Sequence, residues 1–462
     1  MRTVWILAAL AACGGGDDDP GTDAPPGGIE DQLRALPGVT VTEEPPDNAP
    51  VGYRYFVLHV TQPVDHAVPG GPTFQQEVSL IHRDVAAPMV ALTSGYEDFS
   101  RDAPSEPTLL LDANQISIEH RYFGSSRPEP ADWSKLTIRQ MADDEHAIVV
   151  LLKRIYQAPW INTGASKGGM TAVYHRRFYP EDVVGTLAYV APLSFSIPDA
   201  RYASNIDTVG TVECRTAIRA LTTEMLQNRR AGLLSRAQAQ ATQQGLAYTR
   251  IAIGPALESA ITDLEWTFWQ YYGIAFCGTI PAVTATDQEM FAFLNDISGV
   301  SFSEDGTTAA FEAYFYQAYA QLGSPGLVSV RGDAFPPHLL PFRMFTEADF
   351  ANTLPLGVPI PTHDPAAMMD IDTWVQTEGA NLVFVYGEWD PWSGGKFQLG
   401  AAVDSLELIN AEGTHGAGLG DLEPADREAA LAKLAAWTGV TPSDSAPKHK
   451  RVYGRTRRLQ IP

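Results

Sequence analysis

Trp160-Ile161-Asn162-Thr163-Gly164-Ala165-Ser166-Lys167-Gly168-Gly169-Met170 is the stretch that decides how this chain is read. Trp160–Thr163 has the composition of a short buried strand. Beyond the glycines, Met170, Val173, Tyr174 and Phe178 recur at helical spacing until Pro180 stops the turn. Between strand and helix stands Gly-x-Ser-x-Gly. A chain that passes from strand to helix this abruptly admits only small residues around the turn, and it lifts the serine hydroxyl above the sheet. The pentapeptide alone also suits an ordinary tight turn. Its strand and helix flanks are what make Ser166 a candidate nucleophile.

Working outward, strand-like runs precede the elbow at 53–60, 77–81, 88–93 and 115–119, followed by a helical stretch at about 137–156. An apolar strand at 183–190 follows it. From Leu193 to Asp372 the pattern turns helical and is broken by Gly and Pro. Strand–helix alternation resumes at 381–387, continues at 405–409 and ends in a helix at about 423–437. Such alternation predicts a mainly parallel sheet covered on both faces. The expected organisation is an α/β-hydrolase core in two parts, 49–192 and 373–440, split by a helical cap at 193–372. Residues 14–48, rich in Gly, Pro, Asp and Glu, read as a flexible linker with one short helix at about 29–36. Residues 441–462 read as a basic, solvated tail.

A serine hydroxyl needs a base to take its proton and an acid to orient that base. On an α/β-hydrolase sheet the order along the chain is serine, acid, histidine. Asp390, in Gly387-Glu388-Trp389-Asp390-Pro391-Trp392, follows the apolar run 382–386 directly. His415, in Glu412-Gly413-Thr414-His415-Gly416, also comes just after a strand. Both therefore fall at the carboxyl edge of the sheet, where open α/β sheets place their sites. The charge that forms when Ser166 attacks a carbonyl needs donors aimed at it. The backbone N–H of Lys167 supplies one through the elbow itself. Tyr96, by its backbone or its phenol, is the candidate for the second, on the loop after the strand 89–93.

The formal net charge of −23 over 462 residues argues against a nucleic-acid partner, because a phosphate backbone would be repelled. At the N-terminus an apolar stretch ends in Leu10-Ala11-Ala12-Cys13, followed by a Gly/Asp-rich run. It reads as a lipoprotein-type signal segment, 1–13, with Cys13 lipidated and the mature chain exported, either anchored at a membrane surface of the cell envelope or secreted. Two other cysteines remain. In an exported chain, Cys214 and Cys277 pair most simply as a disulfide closing a loop of about 60 residues; two separate buried thiols are the alternative. No Cys/His spacing suggests a metal, and no cofactor is expected. The acidic run Asp143-Asp144-Glu145-His146 lies along one helix and is expected to face solvent in part, while Arg331-Gly332-Asp333 is a common triplet without a role.

Thr163-Gly164-Ala165-Ser166-Lys167-Gly168-Gly169-Met170-Thr171 resembles the nucleophile motif of the PS-10 peptidases, family S37. These include prolyl tri/tetrapeptidyl aminopeptidases and are similar to the prolylcarboxypeptidase and dipeptidyl peptidase II group. Thr61-Gln62-Pro63-Val64-Asp65-His66, Glu119-His120-Arg121-Tyr122-Phe123-Gly124, Trp389-Asp390-Pro391-Trp392-Ser393-Gly394-Gly395 and Gly413-Thr414-His415 agree with the broader pattern. The resemblance spans about 50–440 and implies an α/β-hydrolase with a helical cap, the triad Ser166, Asp390 and His415, and release of short peptides from free N-termini, often after proline. An ester hydrolase on the same fold, or a binding protein on a retired scaffold, are the rival functions. Such an exopeptidase needs a carboxylate for the substrate's α-amine. Glu265 is one candidate, in Leu264-Glu265-Trp266-Thr267-Phe268-Trp269-Gln270-Tyr271-Tyr272, where Glu265, Phe268, Trp269 and Tyr272 share a helix face and Trp266 stands beside it. The alternative there is cap core plus a structural salt bridge. Glu97 and Glu119 are the other candidates, although Glu119-His120-Arg121 also reads as a buried charge network under the sheet edge.

Overall fold

The computed structural model describes residues 28–326 and 336–443. Its strands are β1 (Val39–Glu43), β2 (Arg54–Pro63), β3 (Thr73–His82), β4 (Met89–Thr93), β5 (Asn114–Ile118), β6 (Trp160–Ala165), β7 (Gly185–Tyr189), β8 (Leu382–Gly387) and β9 (Leu406–Asn410). They form one sheet in the order β1-β2-β3-β5-β4-β6-β7-β8-β9. The pairs from β5 through β9 are parallel, whereas β1, β2 and β3 join antiparallel at one edge. Strands β7 and β8 are buried at every position, as befits central strands covered on both faces.

The helices are α1 (Ile29–Arg34), α2 (Glu106–Leu111), α3 (Ile138–Leu152), α4 (Lys167–Phe178), α5 (Ala200–Ile206), α6 (Val212–Glu224), α7 (Arg230–Gln244), α8 (Ile253–Thr262), α9 (Leu264–Tyr271), α10 (Asp287–Ile297), α11 (Asp305–Gln317), α12 (Ala366–Glu378) and α13 (Pro424–Thr438). Helices α5 to α11 fall between β7 and β8 in sequence. Most of them share an apolar core of their own, built around Ile218, Leu257, Leu264, Phe268, Trp269 and Leu294. The Cys214–Cys277 disulfide, 63 residues apart in sequence, ties α6 to the turn after α9.

Three expectations change. The segment at 29–43 is not a flexible linker: Ile29, Leu33 and Leu36 pack into the core, and β1 pairs with β2 along its length. Composition hid this, because a five-residue edge strand draws its stability from its neighbour rather than from its own residues. Second, α12 crosses the expected cap boundary at 372 and belongs to the sheet side, with Met368, Ile371, Trp374 and Val375 packed against Val173 and Tyr174 of α4. Third, the run 143–146 meets solvent mainly through His146, whose side chain is 37% exposed, and not through its acids. Asp143, Asp144 and Glu145 are buried. Arg121 grips Asp144 through two bonds of 2.7 Å, and His66 adds a third contact at 2.7 Å. Asp143 takes Arg139 at 2.8 Å, and His146 meets Asp182 at 2.8 Å. Cys13, Arg331-Gly332-Asp333 and residues 444–462 of the basic tail lie outside the described residues.

Arg121 and Asp144 are both fully buried, so Asp144→Ala leaves an uncompensated guanidinium inside the protein. Equilibrium denaturation is expected to show a loss of roughly 3–5 kcal/mol, with Asp144→Asn intermediate.

Candidate active site

Ser166 occupies the turn between β6 and α4 at φ 56° and ψ −129°, a region costly to any residue bearing a Cβ. The turn closes because its neighbours lack side chains. A Cβ on Gly164 would strike the backbone of Gly168, and one on Gly168 would strike the carbonyl oxygen of Thr93. Ser166 N donates to the carbonyl of Tyr189 at the end of β7 (2.9 Å), and its own carbonyl accepts from Met170 N (3.0 Å). The result is a serine pinned at the carboxyl edge of the parallel strands.

The loop after β4 lies directly against the start of α4. Gly95, at φ +75°, has space for a Cβ only at 2.5 Å from Gly168 N and 2.8 Å from the Lys167 carbonyl carbon. The Lys167 side chain runs back under this loop and donates to the carbonyl of Gly95. Its ammonium lies 5.4 Å from the ring centre of Tyr96 and 5.2 Å from that of Phe123. Burial pushes that ammonium well below its ordinary pKa, and Glu145 pulls it the other way. Lys167 is the first residue of α4, so its backbone N–H has no intrahelical partner. The backbone N–H of Tyr96 is turned to Ser94 Oγ (3.3 Å), which leaves the phenol as the part of Tyr96 nearest the chemistry. Burial pushes that phenol well above its usual pKa, and the Ser166 hydroxyl facing it pulls slightly the other way. It therefore stays protonated and able to donate.

Asp390 follows β8 and is fully buried. One carboxylate oxygen accepts from Trp392 N (3.1 Å), and the other meets His415 Nδ1 at 2.6 Å. With the carboxylate accepting, Nδ1 is the donor, which leaves Nε2 as an acceptor. His415 follows β9 and is also buried; its Nε2 has no hydrogen-bond partner among the described residues. The two loops interlock, since a Cβ on Gly387 would hit the carbonyl of Thr414. Helix α5 clamps the turn after Asp390 through Asn205 Nδ2, which donates to the carbonyl of Pro391 (3.1 Å). Above them lies α9. The carbonyl of Gln270 takes the backbone N–H of His415 at 2.8 Å, and the Tyr271 ring stands perpendicular to the imidazole at 6.2 Å. Trp266 packs edge-on against Trp392 at 5.2 Å, and Trp392 lies 6.3 Å from His415. Tyr314 of α11 closes over Tyr96 at 5.8 Å.

The sequence profile of the PS-10 peptidase S37 family matches residues 24–453. The chain belongs to that family. It is 38% identical over 448 residues to the prolyl tri/tetrapeptidyl aminopeptidase of Streptomyces mobaraensis, covering 96% of this chain and 91% of that protein. It is 32% identical over 189 residues to the mouse lysosomal Pro-X carboxypeptidase, covering 36% of this chain and 38% of the relative. Among solved structures, the proline iminopeptidase of Mycobacterium smegmatis aligns with a TM-score of 0.36 and 13% identity, over 82% of this chain and 98% of that one. The S37 chain is thus a serine peptidase on an α/β-hydrolase fold.

Its expected substrate side is rearranged. Glu265 is held by Arg219 through two bonds of 2.9 Å, and Arg219 also takes Asp207 at 2.9 Å. Phe268 and Trp269 are fully buried in the apolar core of the cap, where Gly210 and Trp389 meet the Trp269 ring. The helix face first proposed for peptide therefore serves cap packing and a salt bridge, and the opposite face meets the site. The reason is apolar size: Leu264, Phe268 and Trp269 bury more area inward than the polar face would. Glu119 is also committed, accepting from the backbone N–H groups of Ser125 (2.8 Å), Ser126 (3.0 Å) and Asp98 (3.2 Å). Glu97 is half-buried beside Tyr96 and makes no ion pair among the described residues. Tyr271 and Trp392 were missed as site residues. Their positions two residues after Trp269 and after Asp390 were the available signal.

Two outcomes follow from this geometry. Tyr96→Phe is expected to lower kcat by about 10²–10³-fold with little change in KM, the signature of a lost donor to a developing oxyanion. Gly95→Ala is expected to abolish turnover while leaving the far-ultraviolet circular dichroism spectrum unchanged, because its Cβ displaces the nucleophile turn and not the sheet.

Proposed function

We propose that this peptidase is a serine exopeptidase that releases short peptides from free N-termini, with proline before the cut, through an acyl-enzyme on Ser166. The observation that carries the reading is the buried Asp390–His415 pair. Both oxygens of the carboxylate are engaged, the imidazole is held at 2.6 Å through Nδ1, and Nε2 has no partner among the described residues, on the edge that also bears Ser166. In the proposed cycle the Ser166 hydroxyl passes its proton to Nε2 as oxygen attacks the carbonyl carbon. The resulting oxyanion is met by the Lys167 backbone N–H and the Tyr96 phenol. The imidazolium then protonates the departing amine, the C–N bond breaks, and the N-terminal fragment remains esterified to Ser166. Water, deprotonated by the same nitrogen, releases it.

The N-terminal direction and the proline preference are supported by the 38% identical Streptomyces relative, named as a prolyl tri/tetrapeptidyl aminopeptidase. Export as a lipoprotein through Cys13 is part of the same proposal. It is supported by the Leu10-Ala11-Ala12-Cys13 sequence and by a disulfide of the kind that persists in oxidising compartments. Among the described residues no helix is long and apolar enough to cross a membrane.

Ser166→Ala is expected to lower turnover of Ala-Ala-Pro-p-nitroanilide by at least ~10⁴-fold. Retention of wild-type turnover in that variant would remove Ser166 from the mechanism.

A further inference from the structure

The carboxylate an aminopeptidase needs is absent from the places expected on α9, yet that helix carries another one. Asp263 stands at the start of α9. It makes no ion pair with any cationic side chain among the described residues, and its one side-chain bond is from Ser259 Oγ, at 3.3 Å. The residue is half-buried. Burial pushes the carboxyl up to about 7, with Ser259 opposing.

Helical geometry fixes where Asp263 lies. At 3.6 residues per turn, positions 263, 266, 267 and 270 share one face, with 271 at its margin. Two of those residues mark what the face looks at: Trp266 packs on Trp392, and the Gln270 carbonyl holds the backbone of His415. Asp263, Thr267 and Tyr271 are the half-buried positions of an otherwise buried helix, a stripe that runs beside Trp266 and Gln270 and ends at Tyr271 against His415. A second observation points to a ligand there. The indole N–H groups of Trp266 and Trp392 are both buried without a hydrogen-bond partner among the described residues. The two rings pack edge to face at 5.2 Å, and two orphan donors so close together call for an acceptor that the described side chains do not supply; a peptide's carbonyl groups are such acceptors.

We infer that Asp263 receives the substrate's free α-amine, with the Trp266 and Trp392 indoles donating to the peptide carbonyls between that amine and Ser166. The seven steps from Asp263 to Gln270 rise about 10 Å at 1.5 Å each. Three extended residues reach about 10 Å. Helix α9 thus sets the length removed, and three residues are the preferred fragment. Glu97 is the competing carboxylate, but it is the sequence neighbour of Tyr96, whose phenol faces the nucleophile, whereas an amine three residues from the cut lies farther off.

This inference rests on the aminopeptidase reading, and the test separates the two. The full chain, as wild type, Asp263→Asn, Asp263→Glu and Glu97→Gln, is assayed on Ala-Ala-Pro-p-nitroanilide and on its N-acetyl form. Wild type is expected to favour the free amine. In Asp263→Asn the free-amine substrate should lose about 100-fold in kcat/KM, while turnover of the acetylated one holds within about twofold. That retained turnover also reports a folded site. Asp263→Glu should restore part of the free-amine preference. A wild type indifferent to acetylation overturns the aminopeptidase reading itself. A wild type that prefers the free amine, with the preference intact in Asp263→Asn or lost only in Glu97→Gln, overturns the role of Asp263. Equal loss on both substrates in Asp263→Asn and Asp263→Glu also overturns it, since that is the mark of a structural residue.

Discussion

Ser166 is held at φ 56° and ψ −129°, and the rest of the site is arranged around the cost of keeping it there. A residue in such a region costs about 1–3 kcal/mol and persists only where its surroundings over-determine it. Here they do. Gly164, Gly168 and Gly95 bring three backbone segments closer than any Cβ would allow. Thr93 Oγ1 donates to the carbonyl of Gly168, and the buried Lys167 ammonium donates to the carbonyl of Gly95. The strained turn and the loop bearing Tyr96 are therefore one mechanical unit. A side chain buried as deeply as Lys167 loses solvation, and the faces of Tyr96 and Phe123 replace part of it.

The Asp390–His415 pair is fixed in a different way. Asp390 spends one oxygen on its own turn and the other on His415, so the imidazole has one orientation and one tautomer. The cap completes this rather than merely covering it. Helix α9 holds the backbone of His415, and α5 holds the turn that follows Asp390. Because the cap has its own apolar core, Leu264, Phe268 and Trp269 turn into it, and Trp266, Gln270 and Tyr271 are left to meet the Asp390 and His415 loops. Salt bridges carry the same joint elsewhere: Glu312 of α11 takes Arg127 from the sheet side at 3.0 Å and Arg250 from the cap at 2.9 Å.

Much of this was legible in the sequence, for identifiable reasons. The elbow, the central strands and the positions of Asp390 and His415 depend on local signals: a run of apolar residues, a tight Gly turn, a residue just past a strand. The parts that were misread depend on partners distant in sequence. Strand β1 is a strand because β2 lies beside it, and Ile29 and Leu33 help seat it on the core. In the acidic run, Asp144 is buried because Arg121 comes from 23 residues earlier to meet it, and His146 is held by Asp182 from 36 residues later. On α9, periodicity correctly gave two faces but could not say which one met the sheet. Glu265 drew notice as an acid among aromatics, whereas the partner that neutralises it, Arg219, lies 46 residues earlier.

The central claim is that one hydroxyl, set by the elbow and served by His415, is the reacting atom of this peptidase. The most direct measurement is intact-mass and peptide-mapping analysis after brief exposure of the native protein to a fluorophosphonate, with His415→Ala alongside. The account predicts a single covalent adduct on the peptide containing Ser166, formed at least ~10³-fold more slowly in the variant. An adduct on another residue, or catalytically active protein that leaves Ser166 unlabelled, would contradict it.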